Sequence, residues 1–151
     1  MVEVKKILFP IDFTESAKKV LPYVKYFAKS FGASVTLIHV VRGPEEFTGF
    51  EFGSAWWSNF EKEVMDGART AMEHFIADEL SDFKGVDYMV LMGDMVDEIN
   101  KFAEQKKIDL IIMGTHGRKG LEKVMFGSVA EGVVKRASCP VLTVNPYKVR
   151  S

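Results

Sequence analysis

A doubly wound α/β domain with a parallel sheet is the fold that this sequence predicts, on three observations. Short apolar runs at residues 5–11, 33–41, 86–92, 110–113 and 140–145 are too brief for helices and rich in β-branched residues. Two of them, Ile7-Leu-Phe9 and Leu110-Ile-Ile-Met113, are apolar at consecutive positions, the pattern of a strand covered on both faces. Helical stretches separate the runs from end to end, and that alternation implies parallel strands with helices on both sides of the sheet. With 151 residues, the chain is read as one domain, 1–151, long enough to bury a single core.

The first strand ends at Pro10-Ile-Asp12, and Asp12-Phe-Thr-Glu15 has the form of a capping box. The helix that follows carries Ala17, Val20, Leu21, Val24, Phe27, Ala28 and Phe31 at helical spacing, with Pro22 expected to kink or unravel it and Gly32 to end it. After the second strand comes an irregular stretch with six aromatics within residues 47–60. It reads as a flap over its own core or a subunit interface in preference to a lid over a ligand, since loop aromatics bury large areas wherever they settle. A long helix over residues 56–80 places Phe60, Val64, Ala68, Met72, Phe75 and Ile76 on one stripe. Gly85 precedes the third strand, and Asp94 is the expected cap of a helix with Ile99, Phe102 and Ala103 inward. The last helix, residues 128–137, has Val129, Val133, Val134 and Ala137 on one face and leads to the fifth strand.

The stretch between the fourth strand and that helix carries the chemistry. Gly114, Gly117, Gly120 and Gly127 lie in one loop, and Ser128 opens the helix. Glycines leave backbone N–H groups uncovered, and a helix start adds unpaired donors and the positive end of a dipole. Such a concavity suits a phosphate chain, with the Gly127 amide among its donors. The alternative is that Gly114 and Gly117 make a tight turn while Gly127-Ser128 only caps a helix. Residue chemistry alone does not separate the two.

The spacing Gly114-x2-Gly117-x9-Gly127-Ser128 resembles the nucleotide-binding signature G-2x-G-9x-G-[S/T] of the universal stress protein family. Lys6-Ile-Leu-Phe-Pro-Ile-Asp12, Leu37-Ile-His-Val-Val41 and Ser138-Cys-Pro-Val-Leu-Thr-Val144 resemble that family too, so the likeness covers nearly the whole chain apart from the segment around residues 43–57. It implies a Rossmann-like five-stranded sheet of order 3-2-1-4-5. In that order Asp12 and the glycine loop flank one crevice at the switch point, where ligands of such sheets bind. The resemblance puts Asp12 and Val40 near adenine and ribose. It puts Met113, Gly114, Gly117, Gly127, Ser128 and Val129 around ribose and phosphates, with ATP and Mg²⁺ as the ligand. Arg118, Lys119 and Lys123 are candidates to neutralise phosphate or are simply solvated, and His116 either touches phosphate or shapes the turn. One departure is Phe13, where many members have glycine; its ring is expected to narrow the adenine pocket.

Composition excludes other classes. With 20 basic and 21 acidic residues and a net charge of −1, a nucleic-acid binder is not expected. No apolar run reaches the length of a membrane span, the first residues lack the shape of a signal peptide, and one cysteine fits a reducing cytoplasm. No Walker loop, G-x-G-x-x-G, G-x-S-x-G or H-E-x-x-H occurs, and His39, His74 and His116 have no metal-binding spacing. A binding and signalling protein with no catalytic residues or metal site of its own is therefore expected, and a homodimer paired partly through the apolar edge strand 141–144. Two other readings stand beside it: a weak ATPase or nucleotide-transferring enzyme, and a member that binds no nucleotide and acts by protein interaction with partners the sequence does not name.

Overall fold

The computed structural model describes residues 1–43, 54–116 and 127–149. Among them the elements run β1 (Lys6–Pro10), α1 (Glu15–Phe31), β2 (Ser34–Val41), α2 (Ser54–Glu79), β3 (Val86–Met92), α3 (Met95–Gln105), β4 (Leu110–Gly114), α4 (Ser128–Arg136) and β5 (Val141–Val144). All pairings are parallel and the strand order is β3-β2-β1-β4-β5, as expected.

The consecutive apolar runs are explained by two cores, one on each side of the sheet. Ile7 and Phe9 of β1 join Val35, Leu37 and Ile112 under α1 and α2, while Leu8 joins Ile38, Ile111 and Met113 under α3 and α4. Each of Ile7, Leu8 and Phe9 is at most 1% exposed, so a polar residue at any of them would be buried unpaired. The β1–β4 junction is tied at its lower end by Asp109, whose Oδ2 accepts the N–H groups of Lys5 and Lys6, each at 2.9 Å.

Several local expectations are corrected. The start of α1 is not a capping box: Thr14 is the N-cap, without a side-chain cap bond. Asp12 instead folds back on the turn, its Oδ1 accepting from Thr14 N–H at 3.1 Å and Thr14 Oγ1–H at 2.6 Å. The helix is assigned without a break through Pro22, which sits on the exposed side where the lost backbone bond can face water. Phe27 is only half-buried and Phe31 is 41% exposed. The two rings stack on each other at the end of the helix, with centroids 5.8 Å apart. On α4, Ala130 rather than Val134 completes the inward face; Val134 is 45% exposed. Asp94 caps α3 as expected, accepting from Asp97 N–H at 3.0 Å.

Helix α2 is seated unevenly. Met72, Phe75 and Leu80, at and just past its end, are buried, but Phe60, Val64 and Ala68 on the same stripe are half-exposed. The periodicity is that of a buried face, and its first half meets a cavity instead of the sheet.

Candidate functional site

The cavity lies across the carboxyl ends of the strands and encloses about 960 Å³, the upper part of the range for small-molecule sites. Because β1 and β4 are neighbours whose connections leave to opposite sides, their ends part and open a crevice there. Asp12, Val40, Met113, Gly114, Gly127, Ser128 and Val129 all line it, so seven of the eight predicted site residues meet in one space. The eighth, Gly117, lies outside the described residues, as do Arg118, Lys119, Lys123 and the aromatics Phe47, Phe50 and Phe52.

Four elements place the seven: Asp12 lies just after β1, Val40 on β2, Met113 and Gly114 on β4, and Gly127, Ser128 and Val129 at the start of α4. Asp12 lies two residues past the end of β1, and with Oδ1 committed to Thr14, Oδ2 is its remaining acceptor for a ligand hydroxyl or amine. Val40 and Met113 come from the ends of β2 and β4, on the α3/α4 side of the sheet, and are 4% and 5% exposed. Gly114 ends β4 where space is short: a Cβ there would lie 3.3 Å from Val20 Cγ2 and 3.4 Å from the His116 carbonyl oxygen.

Gly127 behaves otherwise than expected. Its φ of −64° is open to any residue, so conformational freedom is not what the position needs. Its N–H donates to the Thr115 carbonyl at 2.7 Å, and a Cβ would come within 2.5 Å of that same oxygen. The Gly127 amide is thus spent inside the protein, clamping the start of α4 onto the end of β4, and is not a phosphate donor. The donors are the next residues. The first helical bond runs from Glu131 N–H to Gly127 O, so the N–H groups of Ser128, Val129 and Ala130 have no helical acceptor. All three residues line the cavity. That end of the site is a helix start with the positive end of its dipole turned to the ligand space.

His39 is the residue that reading the sequence missed. Alternation along β2 sets it on the face of Val35 and Leu37, a signal that was legible, and the structure brings it to the cavity wall. Its Nδ1 lies 2.8 Å from the Ile11 carbonyl oxygen; a carbonyl only accepts, so Nδ1 carries the proton. Phe13 packs against it with ring centroids 4.4 Å apart. His116 is buried, shares a 2.8 Å hydrogen bond between Nδ1 and Thr115 Oγ1, and meets Tyr147 edge-on at 5.1 Å. Trp57, Phe60, Val64 and Ala68 supply the wall from α2. Of the aromatic segment, expected as a flap over its own core or a subunit interface, Trp57 and Phe60 line the ligand space, while Trp56 is 44% exposed outside it. Among the described residues, no three His, Cys, Asp or Glu side chains come together as a metal site.

Fold and crevice together define the class: a doubly wound α/β domain whose ligand space opens at the switch point of a 3-2-1-4-5 sheet. Within that class the chain belongs to the universal stress protein family, which it matches over residues 3–145. It is 37% identical to the universal stress protein MJ0577 of Methanocaldococcus jannaschii over 154 residues, covering 93% of this chain and 94% of the relative. The solved structure of MJ0577 superposes with a TM-score of 0.83 at 32% identity, covering 99% and 100% of the two chains. Two more distant structures share the fold. One is a universal stress protein in complex with cAMP (TM-score 0.62, 17% identity, 95% and 98% covered); the other is that of Archaeoglobus fulgidus in complex with dAMP (TM-score 0.58, 19% identity, 96% and 100% covered).

Proposed function

We propose that this chain is an ATP-binding universal stress protein that acts as a nucleotide-dependent regulatory module. The observation that carries the reading is the joint presence, in one cavity, of the Asp12 carboxylate and the open first turn of α4. An acceptor at one end suits a ribose hydroxyl or base amine, and three unpaired N–H groups at the other suit phosphate oxygens. The adenine nucleotides held by the two distant relatives of the same fold support this ligand class. In this reading Mg²⁺ enters with the phosphates and keeps most of its shell as phosphate oxygen and water. Binding, and not turnover, is the working event in this reading.

The test is thermal: with ligand at about 100 times Kd, linkage contributes roughly 2.7 kcal/mol, a melting shift of about 5–10 °C for a domain of this size. Protein freed of ligand is melted with and without millimolar ATP and Mg²⁺. No shift, together with no nucleotide released on denaturing the protein as purified, refutes the proposal. We extend it to the assembly: β5 pairs with β4 on one side only, and its half-buried Val141, Leu142 and Thr143 suit pairing with a second copy. A monomer mass by light scattering at micromolar concentration removes that part.

A further inference from the structure

Phe13 is held in a left-handed backbone conformation, φ 63°, which is costly for a bulky residue and natural for glycine. The turn around it is fixed from both sides. Asp12 Oδ1 accepts two hydrogen bonds from Thr14, and Ile11 is bonded twice to β2: its N–H donates to the Ile38 carbonyl at 2.9 Å, and its own carbonyl accepts from His39 Nδ1. The result is a Phe13 ring laid on an imidazole anchored through Nδ1, at 4.4 Å and a 46° tilt, with both side chains on the cavity wall next to Asp12. A strained aromatic kept at a ligand wall marks a position whose side chain is used, since strain of this kind collects at functional sites.

We infer that the Phe13–His39 pair is the platform on which the ring system of the ligand packs, and that Phe13 sets preference for a purine over a pyrimidine. The inference rests on the nucleotide reading above and assigns one step of it to a residue outside the glycine signature. An aromatic face attracts any base, but a two-ring base covers more of it, so the platform favours adenine over cytosine through area and not through a hydrogen-bond code. Instead of narrowing the pocket, the ring completes it.

Calorimetry with ATP, CTP and inorganic tripolyphosphate on the parent, Phe13→Gly, Phe13→Leu and Phe13→Tyr tests this. Glycine relieves the backbone and keeps the turn, while leucine keeps apolar bulk without an aromatic face; tyrosine restores the face. The expected result is a five- to hundredfold loss of ATP affinity in the glycine and leucine variants, about 1–3 kcal/mol by the usual conversion. The ATP-to-CTP ratio moves toward one, tripolyphosphate is unchanged, and tyrosine binds like the parent. The inference is overturned if the glycine and leucine variants bind ATP as the parent does. It is also overturned if they lose tripolyphosphate by the same factor, which assigns Phe13 a role in shaping the turn alone. A parent protein that binds neither ATP nor tripolyphosphate sinks the nucleotide reading and takes this inference with it.

Discussion

Gly127→Ala is the sharpest perturbation available, because the geometry predicts where its cost falls. The new Cβ starts 2.5 Å from the Thr115 carbonyl oxygen, and ordinary contact begins at 3.4 Å, so α4 and the end of β4 must separate by close to the difference. Separation stretches the 2.7 Å bond from Gly127 N–H to that oxygen. A weakened hydrogen bond at about 0.5–1.5 kcal/mol and overpacking at about 1–3 kcal/mol together give roughly 2–4 kcal/mol of lost stability. At about 2–4 °C per kcal/mol for a chain this long, the melting temperature should fall by roughly 5–15 °C. ATP should weaken as well, since Ser128, Val129 and Ala130 move with the helix start, but only as a consequence of that shift. The control is Gly67→Ala, where a Cβ meets nothing within 4 Å and the helix should gain about 0.5–1 kcal/mol. Paired thermal and denaturant melts measure both. A Gly127→Ala protein that melts within a degree of the parent refutes the clamp.

Three further outcomes follow from packing and charge. Gly132→Ala brings a Cβ to 2.8 Å from Val96 Cγ2, so it should cost about 1–3 kcal/mol alone and much less beside Val96→Ala; a denaturant double-mutant cycle without coupling rejects that contact. Asp94→Ala removes the cap on Asp97 N–H and should cost about 1 kcal/mol in the same assay, with an unchanged melt counting against the cap. Burial, and after it the charge of Asp109, push the Cys139 thiol above its ordinary range. Thiolate is therefore scarcer than in a free thiol at pH 8, and alkylation should be slower than that of glutathione and accelerate as pH rises; equal rates contradict it.

The order of strands and helices was legible because apolar runs and helical stripes report burial directly. What periodicity did not carry was where the stripe stops being covered: Phe31 keeps the spacing of Val20 and Val24 but is 41% exposed. Nor does a stripe say what it faces, so Phe60, Val64 and Ala68 read as core and turned out to line the cavity. At the site, the glycine spacing marked the right residues for a partly different reason. Gly127 is small to let a carbonyl approach, a contact between residues 115 and 127 that no local pattern encodes. Asp12 looked like a cap because its neighbours have the composition of one, whereas the turn it stabilises depends on the positive φ of Phe13.

The pairing of β1 with β4 also has a consequence in time. Ile7 faces Leu110 and Leu8 faces Ile111, so the strand that begins the fold has no partner on one side until more than a hundred residues have been made. The donors at Ser128 follow later still, 116 positions after Asp12. At about 5–20 residues per second, a nascent chain waits roughly 6–23 s between the two halves of its cavity. During that interval β1 and β2 can pair and bury Ile7 and Phe9 under α1, but no ligand space exists. A ligand held in this cavity is therefore a mark of finished chains: it adds stability only after synthesis has passed α4, and gives none to truncated products that stop short of it.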